Sequence, residues 1–434
     1  MKRTIVVLLS LLVVSLSAYG QTTIEFWHAM GGKNGEITAK VCEMFNQSQK
    51  DFVVVPVYKG SYPDTMNAGI AAFRAGTPPA ILQVYEVGTA TMMSAKGAIK
   101  PVYQLMKEQR EKFDPKVYIP TITGYYSTSK GEMLSMPFNS STAVFYYNKD
   151  AFRKAGLNPD APPKTWPEFF DAARKLKAAG YDAGFTTNWI SWIQLENFSA
   201  WHNVPFGTKS NGFDGLDTQL VFNNPLTVKH LENIAKAAKD GVFVYGGREN
   251  KANSLFTSGK IPMHFESIGG YGSMKATCKF DFGVAMLPYY PEQAGAPQNS
   301  IIGGASLWVM TQKDKQAYKA IADFFAFLSL PETQAFWHQN TGYLPITTAA
   351  YELTKSQGYY KDNPGPEIAI KQLLNKAPNA NTLGIRFGFM PQIRTIEDEQ
   401  WEAILDGKVT VKEGLDNMVR LGNEKLREFE RINK

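Results

Sequence analysis

The sequence predicts an α/β protein of two or three domains. Strand-like and helical patterns alternate from residue 23 onward, no internal repeat interrupts them, and 434 residues at roughly 150 per domain exceed one core. Residues 23–27 read as a strand, 35–47 as a helix, 52–57 as a strand, 64–74 as a helix and 80–84 as a buried strand. Residues 141–147 read as a further strand running into Asn148-Lys149-Asp150, whose Asn or Asp can cap a helix at 151–155. Thr165 caps a helix over 166–179, with Glu168 completing a capping box and Gly180 as the stop. A helical stretch over 225–239 ends at Gly241, and 261–265, 280–287 and 301–310 supply further strands. From Lys313 the pattern is mostly helical, through 318–328, 332–339, 368–374 and 397–405 to a long final helix over 411–430.

Composition excludes several classes. With 44% hydrophobic and 20% charged residues, the chain is neither disordered nor collagenous nor a coiled coil. The 46 basic and 40 acidic residues are spread along the chain, so no nucleic-acid groove and no polybasic anchor is implied. Two cysteines, Cys42 and Cys278, are too few for a disulfide framework or a thiolate metal cluster, and two unpaired, buried thiols are expected.

Residues 1–20 read as a secretory signal peptide. Lys2 and Arg3 precede an apolar run over 4–18, and Ala18 and Gly20 supply the small side chains that peptidase pockets accept, which places cleavage between Gly20 and Gln21. The run is shorter than the roughly 20 residues of a bilayer span. Losing Lys2 and Arg3 takes the formal charge from +6 to +4. The expected compartment is the periplasm.

Open α/β sheets bind ligands beyond the carboxyl ends of their strands. The segments that fit this place are Phe26-Trp27-His28, Gly60-Ser61-Tyr62, Tyr85-Glu86-Val87-Gly88, Asn139-Ser140-Ser141, Ser267-Ile268-Gly269-Gly270 and Gly303-Gly304-Ala305-Ser306. They are rich in hydroxyls, aromatic plates and close-approach glycines, which suit a small polar ligand.

The strings FWHAM, YYNKDAFRKAGL, PPKTWPEFFDAARKLKAAG and FTSGKIPM resemble the extracellular solute-binding proteins that feed carbohydrate-type ABC importers. YKGSY, FNSSTAVFYYNKDAF, NWISWIQLENFSAW, IIGGASLWVM, HQNTGYLPIT and MPQIR resemble members of that family that bind sn-glycerol 3-phosphate, and the match spans nearly the whole mature chain. The resemblance implies a two-lobed α/β clamp of the periplasmic-binding-protein type, with discontinuous lobes and a hinged interlobe cleft. On this reading residues 21–142 and 305–343 form one lobe and 143–304 and 344–434 the other, with Ser141, Gly304 and Tyr343 at the crossings. It implies a ligand site of Tyr62, Glu86, Ser141, Trp189, Trp192, Ser267, Gly304, Tyr343 and Arg394. It implies a monomer that captures sn-glycerol 3-phosphate or a glycerophosphodiester such as glycerophosphocholine. The partners implied are two transmembrane permease subunits with their ATPase, and no cofactor, metal or nucleic acid is implied.

The residue types suit that ligand. Arg394 can offer a phosphate a bidentate fork. Tyr62, Ser141, Ser267 and Tyr343 can donate hydroxyls, and Gly304 can bring its backbone close. Like charge keeps Glu86 from the phosphate, so it suits the vicinal hydroxyls of glycerol. Glu266, beside Ser267, is expected to turn away if Ser267 points in. Trp189 and Trp192 offer indole faces to glycerol or to a choline cation, or else pack as core on one helical face.

Two other readings stay open. An oligosaccharide-binding protein of the same fold would stack sugars on the paired tryptophans. A glycerophosphodiester hydrolase would need chemistry that is hard to find, because His28, His202, His230, His264 and His338 stand singly and no G-x-S-x-G elbow or P-loop occurs.

Overall fold

The computed structural model describes residues 21–434, so the signal peptide expected over residues 1–20 lies outside the described residues. The first sheet opens with β1 (Thr22–His28), β2 (Phe52–Tyr58), β3 (Ile81–Tyr85), β4 (Ile99–Lys100) and β5 (Met136–Ser141). The second contains β6 (Ala143–Asn148), β7 (Phe185–Thr187), β8 (Phe243–Tyr245), β9 (Met263–Ser267) and β10 (Phe282–Ala285). The chain then returns to the first sheet as β11 (Gly303–Met310). The strand order is β2-β1-β3-β11-β4, with β5 also paired to β11, and β10-β6-β9-β7-β8. In the first sheet β1 runs parallel to β2 and β3 while β11 is antiparallel to its neighbours.

The strand expected over 141–147 is two strands in different sheets, broken at Thr142. The break is buried, so its polar groups need partners. Thr142 Oγ1 meets Ser300 Oγ at 2.7 Å and donates to the Ile301 carbonyl at 2.8 Å, which ties the outgoing crossing to the returning one. Ser141 pairs with Gly303, and Ile268 N–H donates to the Thr142 carbonyl at 3.0 Å. A third passage lies alongside, where Leu344 N–H donates to the Ser140 carbonyl at 2.8 Å.

Helices cover the sheets for the reasons their sequences give. Thr165 and Glu168 form the capping box at the start of Trp166–Ala178, and Asn224 caps Pro225–Lys239. Val411–Asn433 buries Val411, Leu415, Met418, Gly422, Leu426 and Phe429, a stripe at helical spacing that seats it against Met390–Leu405. Strands β7 and β8 were not expected from the sequence, since three residues cannot display a period. Among the described residues no helix is long and apolar enough to cross a membrane. Both cysteines are free; Cys42 is buried as expected, whereas Cys278 is only half-buried.

Gly304 is required by its surroundings. Its φ of +87° lies in the left-handed region, and a Cβ there would stand 1.8 Å from the Asn139 carbonyl oxygen. Gly97 shares the conformation, with φ +74°, but has open space around it. Thermal or urea unfolding should therefore find Gly304→Ala costlier than Gly97→Ala by about 2 kcal/mol. Equal losses would mean that backbone conformation alone, without the Asn139 contact, selects glycine at 304.

Candidate functional site

Strand ends and helix starts converge on one cavity of about 390 Å³. The parallel strands β1 and β3 deliver their carboxyl ends to the same edge, where Met30 to Gly32 lead into helix Gly32–Ser48 and Glu86 follows Tyr85. From the other sheet, β9 ends at Ser267 and its turn brings Gly269 and Gly270 to the wall. Tyr62 opens helix Tyr62–Arg74, whose N-cap Ser61 also borders the space.

Eight of the nine expected residues line this cavity: Tyr62, Glu86, Ser141, Trp189, Trp192, Gly304, Tyr343 and Arg394. Ser267 does not. As the last residue of β9, it turns its hydroxyl to accept from Gly269 N–H at 3.0 Å, capping the turn Ile268–Gly270. Glu266 takes the wall position instead, the reverse of the expected alternation. Its carboxylate accepts from the Asn188 side-chain amide and from Ser267 N–H, and burial pushes its pKa up to about 7.

Hydroxyl and amide donors gather on one side. Asn139 Nδ2 donates to Tyr62 Oη at 2.8 Å, and the Tyr62 and Tyr343 hydroxyls stand 3.5 Å apart. The Tyr343 ring lies so close to Gly269 that a Cβ there would come within 2.4 Å of it. Burial raises the pKa of both tyrosines, so both hydroxyls keep their protons.

The tryptophans do not share a helical face. Trp189 has φ +43° and precedes the helix, whereas Trp192 begins a π-helical turn over Trp192–Asn197. Trp192 is nearly buried on the bare backbone of Gly303, where a Cβ would meet its ring at 2.3 Å. Trp189 is half-buried, and its indole N–H donates to Asn250 Oδ1 at 2.8 Å. Its ring stands 6.4 Å from Tyr62, which stacks on Tyr85 at 5.4 Å.

A buried ion triad closes the other side. Arg394 Nε and Nη2 donate to the two oxygens of Glu196 at 2.8 Å each, and Nη2 also donates to Glu86 Oε1 at 2.9 Å. The π turn carries Glu196 and the turn just after β3 carries Glu86, so the guanidinium joins these two segments. Sequence reading assigns Arg394 to phosphate and Glu86 to glycerol as separate groups; the structure puts them in contact. Burial raises the Glu86 pKa against the pull of Arg394. Burial opposes the charge on Arg394, but Glu196 and Glu86 outweigh it and hold the guanidinium firmly protonated. Glu397 is fully buried with neither oxygen hydrogen-bonded, and burial, then the Glu196 charge, push its pKa well up. Asp398 accepts from Ser191 Oγ at 2.5 Å and is raised to about 6, chiefly by burial.

Sequence reading missed Asn34, Glu196, Glu249 and Asn250. Glu249 and Asn250 follow the unrecognised strand β8, although VFVYGG carries the apolar run and glycine pair that mark a strand end. Among the described residues no group of three His, Cys, Asp or Glu has the arrangement to hold a metal ion, and all five histidines are buried.

The chain is similar to known proteins over nearly its whole length. It is 54% identical over 424 residues to the sn-glycerol-3-phosphate-binding periplasmic protein UgpB of Yersinia pseudotuberculosis, covering 98% of this chain and 96% of that one. It is 53% identical over 428 residues to the protein of the same name in Salmonella typhimurium, covering 98% of each. The fold is similar to that of UgpB from Mycobacterium tuberculosis in complex with glycerophosphocholine, with TM-score 0.79, 23% identity, and 94% of this chain and 98% of that one covered. It is also similar to the GacH receptor of Streptomyces glaucescens, with TM-score 0.78, 18% identity, and 94% and 99% covered. At these identities the two structures speak for the fold alone, a two-lobed α/β clamp. The profile of the bacterial extracellular solute-binding proteins matches residues 40–365, and the chain belongs to that family.

Proposed function

We propose that this protein is the periplasmic, solute-capturing component of an ABC importer and that it takes sn-glycerol 3-phosphate and glycerophosphodiesters such as glycerophosphocholine. The relatives at 54% and 53% identity support the ligand class. The observation that carries it is the split character of the cavity. One side offers neutral donors and the other a carboxylate touching a guanidinium. A glycerophosphate has the complementary split, with acceptor oxygens at one end and two adjacent hydroxyls at the other.

The donors Tyr62, Ser141, Tyr343 and the backbone at Gly304 suit the phosphate, assisted by the start of helix Gly32–Ser48, whose first N–H groups have no intrahelical partner. Arg394 is already engaged by two carboxylates, so the diol is assigned to Glu86 and Arg394 together: hydroxyls donate to Glu86 and accept from the guanidinium. Trp192 walls the glycerol carbons, and Trp189 lines the cavity beside Tyr62.

In this reading residues 21–142 with 305–343 form one lobe, and 143–304 with 344–434 the other. Tyr62 and Glu86 come from the first, Trp189 and Arg394 from the second, and a ligand touching all four favours the closed state. The loaded monomer then docks on two permease subunits served by an ATPase.

Calorimetric titration should show one site for sn-glycerol 3-phosphate and for glycerophosphocholine, and none for maltose; binding of maltose alone would return the oligosaccharide reading. Glu86→Gln should weaken both glycerophosphates by about 1.5 to 3 kcal/mol, the worth of a charge-assisted hydrogen bond. A diester methylated on both glycerol hydroxyls should not distinguish the variant from the parent, and an equal loss there would remove the diol from Glu86. The third expectation concerns pH. Glu266 keeps its proton below about pH 7 and ionises above it, placing a new negative charge in the wall. A phosphodiester does not titrate in this range, so its affinity should fall from pH 6 to pH 8, and Glu266→Gln should flatten that slope. An identical slope in the variant would place the titration elsewhere.

A further inference from the structure

Glu249 lies in the turn Gly246-Gly247-Arg248-Glu249-Asn250 that follows β8, and it borders the cavity together with Trp189, Tyr62 and Tyr85. The turn is held to Trp189 by two hydrogen bonds: its backbone N–H donates to the Glu249 carbonyl at 3.2 Å, and its indole Nε1 donates to Asn250 Oδ1 at 2.8 Å. Glu249 itself has φ +56°, a backbone conformation that residues with side chains rarely adopt. The adjacent Arg248 faces elsewhere, donating from Nε and Nη2 to Glu402 at 2.8 and 2.6 Å. Glu249 takes part in none of the ion pairs formed among the described residues. Burial, followed by the Asp64 charge, raises its pKa, opposed by the charge of Lys251 and a hydrogen bond with Ser61.

The charge around the cavity points the same way. Arg394 is the one Lys or Arg in the lining, and Glu86 and Glu196 together exceed its charge. Glu249 adds negative potential beside three aromatic rings. A phosphate monoester dianion gains nothing from that end of the cavity. A quaternary ammonium group gains twice, because aromatic faces attract cations and Glu249, which Lys251 influences only at a distance, forms no ion pair that would neutralise it.

We infer that Glu249, with the wall of Trp189, Tyr62 and Tyr85, forms a head-group subsite that selects glycerophosphodiesters with a cationic head group over glycerol 3-phosphate. This rests on the glycerophosphate reading of the same cavity. The subsite reads the charge of the alcohol esterified to the phosphate, whereas Glu86 and Arg394 read the glycerol. The neutral isostere separates this from a hydroxyl-accepting role, since an amide can still accept from a neutral head group.

The test is calorimetry of Glu249→Gln and Glu249→Lys in the mature chain, with glycerophosphocholine, glycerophosphoglycerol and sn-glycerol 3-phosphate at one salt concentration. Glu249→Gln should weaken the choline diester about tenfold and tighten glycerol 3-phosphate about threefold, as expected for removal of one nearby negative charge. Glu249→Lys should enlarge both shifts; a gain in affinity for glycerol 3-phosphate cannot come from misfolding. Glycerophosphoglycerol should follow glycerol 3-phosphate in direction. If all three ligands change by the same factor, or none changes, the head-group subsite is wrong while the glycerophosphate reading stands. If the parent protein binds none of the three, both fall.

Discussion

A guanidinium removed from water must be matched by opposite charge, and in this protein the match for Arg394 comes from two segments far apart in sequence, the π turn and the turn after β3. Glu196 reaches it because the chain widens into a π turn after Trp189; Glu86 reaches it because β3 ends there. Helix Met390–Leu405, the π turn and the end of β3 are therefore fixed relative to one another by three hydrogen bonds of 2.8 to 2.9 Å. The same engagement limits chemistry. Nε and Nη2 are occupied by two carboxylates, Glu196 and Glu86, so the region has no surplus positive charge for an oxyanion. In the proposed reading, anion binding in this cavity therefore depends on dipoles and hydroxyl groups.

Those dipoles are placed by the chain crossings. Ser141 ends β5 one residue before the chain enters the second sheet, Gly304 stands where it comes back, and Tyr343 sits beside the third passage, next to the Leu344 bond to Ser140. A few residues that absorb a change of angle between two rigid sheets form a hinge. Here the same residues border the cavity, so a ligand held by them senses the angle directly. Glycine at 303 and 304 follows from this crowding, because Trp192 lies on one and the Asn139 carbonyl faces the other.

Much of this was legible in the sequence where signals are long. The stripe of the final helix repeats one physical rule over many residues, and the capping box at Thr165 and the stop at Gly180 bracket another helix. Eight residues that line the cavity were reached through resemblance, since Glu86 in QVYEVG alone reads better as an ordinary helix-start acid and Arg394 in MPQIR alone as a surface or ion-paired arginine. What escaped was short or three-dimensional. The strand-like stretch from Ser141 to Tyr147 hides a change of sheet at Thr142, because the chain is buried on both sides of the break. Alternation along β9 failed at its last residue, where Ser267 caps a turn instead of following the pleat. The partnership of Glu86, Glu196 and Arg394 joins positions up to 308 residues apart, and no local pattern encodes it.

The central claim is that neutral donors hold the phosphate while the Glu86–Arg394 pair holds the diol. A crystal structure with sn-glycerol 3-phosphate bound decides it. The account requires the phosphorus beside Tyr62, Ser141, Gly304 and Tyr343, with the C1 and C2 hydroxyls on Glu86 and Arg394 and the Arg394–Glu196 fork intact. A phosphate seated on the Arg394 guanidinium, with Glu86 displaced from it, would contradict it.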